Sequence, residues 1–223
     1  MLMSLDGPWW LATDPENAGR DESWWLAPRP DAKQTKVPWI IQDAFPGYHG
    51  VAWYWKRFAL PTLPAGAPRA LLRFWAVDYL ADVWVNGVHV GGHEGAETPF
   101  ILDVTNVIQS AGDNLIAVRV LNPSHERIDG FVLAEIPHRH KVIPYSAGAA
   151  ADHGGITDSV EVHFVPTIRI DDVFARPDWI TGRIRLQASV YNAEPVPTRG
   201  RITFTVAAHS GGEDVVTTRS AHD

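Results

Sequence analysis

The sequence predicts an all-β protein built around a two-sheet sandwich of the jelly-roll kind. Three observations predict it. Short runs alternate between two faces, as where Ile116, Val118 and Val120 share one side and Arg119 points to the other. Asn86-Gly87 lies between two such runs, and this dipeptide is a strong hairpin signal because a type I′ turn needs positive φ at both central residues. Finally, 17 prolines punctuate the chain, and proline is excluded from helix interiors and central strands. No stretch alternates strands with helices as a (β/α)8 barrel requires.

The elements follow in order. Residues 1–50 read as an irregular wrapping segment with short strands, its Trp9, Trp10, Trp24 and Trp25 set among Pro and Gly. Residues 51–60 form the first long strand. Trp53, Trp55 and Arg57 alternate there with Tyr54, Lys56 and Phe58, so both faces are bulky and the strand is expected to be covered on both. Residues 69–76 follow, with Leu72 and Phe74 on one face, then 81–86, with Val83 and Val85 opposite Trp84. Residues 88–90 return from the Asn86-Gly87 turn, and Gly91-Gly92 reads as a further turn. Residues 100–104 and 114–121 are strands. Residues 122–157 break the pattern with a long, His- and Pro-bearing connection, and long structured loops are usually functional. Strand periodicity resumes at 159–165, giving seven to nine strands by Val165. A boundary falls near Val165-Pro166-Thr167, dividing the chain into residues 1–165 and 166–223. Beyond it the alternation is cleaner, with Ile184, Leu186, Ala188 and Val190, then Ile202, Phe204 and Val206, forming apolar faces.

Composition narrows the function. At 223 residues with 45% hydrophobic and 20% charged, the chain should bury a core. Nineteen Lys+Arg against 26 Asp+Glu give a net charge of −7, and with no basic patch nucleic acid is not an expected partner. No run approaches the roughly 18 apolar residues that span a bilayer, so no membrane partner is expected. The absence of cysteine removes disulfides, thiolate metal sites and thiol nucleophiles. With no signal peptide visible at the start, the cytoplasm is the expected location. The ten tryptophans have two readings, core filling or flat indoles that stack on sugar rings.

The order of motifs carries a resemblance. The aromatic strand VAWYWKRF, then Val77-Asp78, VWVNG, HEG, PF, DVT and GDNLIAV resemble the N-terminal sugar-binding domain of glycoside hydrolase family 2, which includes β-galactosidases, β-glucuronidases and β-mannosidases. The segment KVPWIIQDAFPGYHG resembles the family's entry to the first long strand. The resemblance implies a galactose-binding-like jelly roll over 1–165. It likens 166–223 to the opening strands of the family's immunoglobulin-like second domain, and 58 residues are fewer than the roughly 100 such a sandwich takes. That domain is therefore expected to be truncated. Its uncovered apolar faces and open edges lead us to expect a homodimer through 166–223.

The family's two catalytic Glu lie on a third, barrel domain, so the resemblance places no catalytic residue here. Glu94 and Glu97 are close in sequence, but Glu94 in H-E-G reads as a structural carboxylate accepting backbone N–H groups of a Gly-rich turn. The segment IPHRHKVIPY…HGGITDSV resembles the P-H-G-K-Q…S-G-I-W-Q-S-V stretch of one branch. His138, Lys141 and Gly155-Ile156 match, while Arg139-His140 replaces the Gly and Thr157 the aromatic. By this resemblance His138, Arg139, His140, Lys141, Asp152 and His153 are the candidate substrate-binding residues, against a reading as solvated loop or domain-interface groups. His138-x-His140 with Asp152 or His153 also has the donor types of a metal site, but no Glu follows as in cupins, so no metal and no cofactor are expected. No nucleophile elbow and no phosphate-cradling loop is present. The expected function is the non-catalytic part of an exo-β-glycosidase, with carbohydrate and the enzyme's remaining domains as partners. The alternatives are a free-standing carbohydrate-binding module and a structural β-sandwich.

Overall fold

The structure is a computed structural model and describes residues 1–61, 68–136, 153–207 and 214–222. The chain divides into two compact units, Met1–Val165 and Pro166–Asp223.

Among the described residues of the first unit the strands are β1 (Leu2–Ser4), β2 (Gly7–Asp14), β3 (Lys33–Val37), β4 (Gly50–Ala59), β5 (Arg69–Phe74), β6 (Val77–Asp78), β7 (Leu80–Val85), β8 (Val88–Glu94), β9 (Phe100–Asp103), β10 (Asp113–Asn122), β11 (Gly155–Ile156) and β12 (Val160–Val165), with a short α-helix, α1 (Ile41–Ala44), and two 3-10 turns at Trp24–Leu26 and Leu133–Glu135. They form a six-stranded sheet in the order β3-β2-β4-β10-β7-β8, a four-stranded sheet β1-β12-β5-β9 and a small pair β11-β6. Pairing is antiparallel throughout. The main core gathers one face of each large sheet: Leu72, Phe74, Val160 and Val162 meet Tyr54, Phe58, Val83, Val85, Ile116, Val118 and Val120.

The opposite face of the six-stranded sheet is buried too. Trp53, Trp55, Trp84 and Ala117 form a second cluster, covered by Trp24 and Trp25 from the segment between β2 and β3. Trp25 stacks on Trp84 at 5.4 Å, and Trp53 packs against Trp84 at 5.1 Å. The two fully buried indole N–H groups of this cluster are satisfied: Trp53 donates to Asp14 Oδ2 at 2.9 Å and Trp55 to the Trp24 carbonyl at 2.8 Å. An aromatic of this size removes about 150–250 Å² from water, worth up to roughly 4–6 kcal/mol at 25 cal/mol per Å². The alternation read from β4 is thus real, and each face has its own core.

Three expectations change. Twelve strands precede Pro166 among the described residues where seven to nine were expected, because β1, β6 and β11 are only two or three residues long and too short to show a period. Residues 1–50 are more regular than expected, because β2 is an eight-residue strand inside the six-stranded sheet between β3 and β4. Its Trp9 is in the core while Trp10 is 41% exposed, and two adjacent tryptophans give no polarity contrast to reveal that split. Gly91-Gly92 is no turn. Both residues lie inside β8, where a register shift sets Val83 opposite Gly91 but Trp84 opposite His89, a β-bulge. A side chain at Gly92 would meet the Ala81 carbonyl at 2.5 Å, so glycine serves close approach there rather than reversal. The Asn86-Gly87 turn does form, with φ of 51° and 83°.

The second unit consists of two antiparallel hairpins. β13 (Ile168–Asp178) pairs with β14 (Arg183–Asn192), and β15 (Gly200–Ala207) with β16 (Asp214–His222). Leu186, Ile202, Phe204 and Val206 are half-buried and alternate with exposed neighbours, whereas Ile184 and Val190 stay exposed. Ile168, Val190, Asn192, Thr198 and Ile202 line a cavity of about 390 Å³.

Candidate functional site

One end of the six-stranded sheet carries a set of polar joints. Asn122 closes β10 opposite Gly50, which opens β4. Leu80, which opens β7, faces Glu94, which closes β8. The connection after β10 leaves from this end, and the chain returns to it at Gly154.

The return is held by a compact hydrogen-bonded group. Gln42, on the one-turn helix α1, donates from Nε2 to Asn122 Oδ1 at 2.8 Å and to the Tyr48 carbonyl at 2.7 Å. Its Oε1 accepts the Gly154 N–H at 3.3 Å. His49 Nδ1 lies 3.1 Å from Asn122 Oδ1. Backbone bonds continue the zipper: the Ile41 N–H reaches the Gly154 carbonyl at 2.8 Å and the Trp39 N–H the Ile156 carbonyl at 2.9 Å. Asn122 is fully buried. Burial pushes the Tyr48 phenol up to about 12, so it stays protonated and donates to the Val51 carbonyl at 2.6 Å.

The outward connection is clamped on the tryptophan-bearing face. Arg119, on β10 and 0% exposed, donates from Nη2 to Asp129 Oδ2 and to Asn17 Oδ1, both at 2.6 Å. Arg20 bridges Asp129 at 2.9 Å and also pairs with Asp82. Burial pulls the Arg119 guanidinium down, with Arg20 adding repulsion. Burial acts to raise Asp129, but Arg119, Asn17 and Arg20 outweigh it and hold that carboxyl below the usual range. Asp129 and Arg20 thereby fasten the 123–136 and 15–32 segments to the sheet. Tyr79, Ala96 and Ile136 form a third small cluster at the same end. Here Glu94 departs from expectation, since its carboxylate accepts the Tyr79 hydroxyl at 2.8 Å rather than the N–H groups of a glycine turn. Burial and Glu94 together push that phenol up to about 12.

Of the candidate binding residues, His138, Arg139, His140, Lys141 and Asp152 lie outside the described residues. His153 is described; it is exposed and directly precedes Gly154. Sequence reasoning missed Gln42, Asn122 and Asp129. Among the described residues no three His, Asp or Glu side chains are grouped to hold a metal ion.

The family model "Glycosyl hydrolases family 2, sugar binding domain" matches residues 2–138. The chain belongs to this family. Family 2 relatives include a β-glucuronidase of Paenibacillus borealis, 36% identical over 126 residues, covering 54% of this chain and 21% of the relative. A β-galactosidase of Thermoanaerobacter pseudethanolicus is 32% identical over 128 residues, covering 57% and 15%. Among solved structures, a Ruminococcus gnavus β-glucuronidase in complex with D-glucaro-d-lactam superposes with a TM-score of 0.78 at 23% identity, over 99% of this chain and 38% of that one. That likeness supports the all-β sandwich fold. The chain thus spans about a fifth or less of these two curated relatives.

Proposed function

We propose that this chain is the non-catalytic N-terminal part of an exo-acting β-glycosidase that hydrolyses β-glucuronides, and that it lends rim loops to the sugar pocket and positions a catalytic barrel supplied by the remaining polypeptide. The observation that carries the reading is the family match over residues 2–138. Relatives named β-glucuronidase extend far beyond the matched region, and the β-glucuronidase name favours a uronide over a galactoside. Hydrolysis by this family's route needs two carboxyl groups about 5–5.5 Å apart across the scissile bond. Two carboxylates at the sheet end are occupied otherwise, Glu94 by Tyr79 and Asp129 by Arg119 and Arg20. Carbohydrate and the enzyme's other domains are then the partners, and residues 166–223 add a self-association surface when the chain is isolated.

The test compares the 223-residue chain with the full-length polypeptide on nitrophenyl β-D-glucuronide and β-D-galactoside. The chain alone is expected to give no turnover. The full-length protein is expected to favour the glucuronide by about 100-fold in kcat/KM, a ratio within reach of a site built to pair a substrate's polar group. Turnover by the chain that is lost in Glu94→Gln or Glu97→Gln would overturn the non-catalytic reading, and a preference for galactoside would overturn the uronide.

A further inference from the structure

The group around Asn122 joins three parts of the chain that nothing in their local sequence connects. Asn122 ends β10, Gln42 sits on α1, and Gly154 begins the return to the sandwich. The joint is tight as well as polar. A Cβ on Gly154 would lie 2.4 Å from both Cβ and Cγ of Asn122, so glycine alone lets the returning backbone lie on that side chain. Gln42 is used at both ends of its amide, donating to Asn122 and accepting from the Gly154 N–H, while the Gly154 carbonyl is taken by the Ile41 N–H. Both backbone polar groups of Gly154 are therefore fixed. The residue directly before it, His153, carries an exposed imidazole.

We propose that Asn122 and Gln42 are positioning residues that set His153 at the sheet end for contact with the sugar. The inference rests on the proposal above that this chain lends rim loops to the sugar pocket, and deepens it by assigning what aims one imidazole of such a loop. Asn122 touches no substrate. Its carboxamide oxygen orients Gln42, Gln42 fixes the Gly154 amide, and that amide fixes the Cα from which His153 projects. A buried acceptor of this kind acts through geometry, and misplacement of a contacting group by about 1 Å is enough to cost up to 100-fold.

A double-mutant cycle in the full-length enzyme tests this, with kcat and KM measured on nitrophenyl β-D-glucuronide. His153→Ala and Asn122→Leu are each expected to raise KM about tenfold with kcat within about twofold, the pattern of lost substrate binding. The double variant is expected to be no worse than the weaker single, because residues acting as one unit are non-additive. Asn122→Asp keeps an acceptor for Gln42 and is expected to restore KM to within about twofold of wild type. Gly154→Ala, which displaces the return with every polar group intact, is expected to raise KM as Asn122→Leu does. Additive effects of Asn122→Leu and His153→Ala, or an unchanged KM in either single variant, would overturn the proposal while leaving the glycosidase reading standing. A wild-type enzyme inactive on β-glycosides would sink both.

Discussion

The strand β4 in the first unit and β14 in the second are written in the same period-two alternation, yet they end in different environments. In β4, Tyr54 and Phe58 enter the core between the sheets, while Trp53 and Trp55 enter a second core beneath Trp24 and Trp25. In β14, Ile184 and Val190 remain exposed, and on the turn before it Trp179 is 89% exposed. Alternation fixes that a segment is a strand and which side chains share a face. Burial depends on a second layer, and among the described residues only the first unit has two large facing sheets. A two-stranded hairpin on its own is marginal in water.

The comparison is tested most severely by Trp53→Ala. It should cost the first unit about 3–5 kcal/mol in urea unfolding, the range for a large buried aromatic, and it also strips Asp14 of an indole donor. A loss near zero would show that the outer tryptophan cluster is not a core. Asp129→Asn is expected to cost about 3 kcal/mol at neutral pH, because it leaves Arg119 buried with one fewer counter-charge. The sign with pH follows from Asp129 being held below its ordinary value. Its contribution is fully present above the unfolded-state value of about 3.9 and is lost as pH falls through the lower folded value. Stability profiles of wild type and variant should therefore converge as the solution is acidified below pH 4, and parallel curves would count against the pairing. At the small end, Trp179→Ala should shift unfolding by no more than about 0.5 kcal/mol, as for an exposed side chain. Sedimentation of the isolated chain should nevertheless find self-association at micromolar concentration that this substitution weakens. A monomer whose residues 166–223 resist proteases would mean that the second unit closes its own faces.

What was legible in the sequence followed from local chemistry. β4, β7 and β10 announce themselves by alternation, and Asn86-Gly87 by the positive φ that both residues adopt. β2 was hidden because Trp9 and Trp10 are equally apolar, though one is buried and the other exposed. The bulge in β8 has no signature of its own, because glycine signals reversal and close approach alike, and the partner strand's Ala81 carbonyl is what distinguishes them. The sheet-end group was beyond local reading. Gln42 and Asn122 are 80 residues apart, and Gln42 and Gly154 are 112 apart. Each is an ordinary polar or small residue until the fold brings them together. Alternation sets Arg119 opposite Val118 and Val120, but its carboxylate partner Asp129 belongs to a connection whose course no periodicity describes.

The pairing of β1 with β12 has a consequence of another sort. The Met1 ammonium donates to the Phe164 carbonyl at 3.0 Å, and the Phe164 N–H returns to the Met1 carbonyl at 2.8 Å. Entry to and exit from the first unit are therefore side by side, the arrangement that lets a domain be permuted or spliced into a host. A linker of a few residues would join the two ends into a ring, and the ring could be cut at the Asn86-Gly87 hairpin without breaking the β1–β12 seam. In such a ring the β1–β12 seam would be closed covalently as well as by its hydrogen bonds.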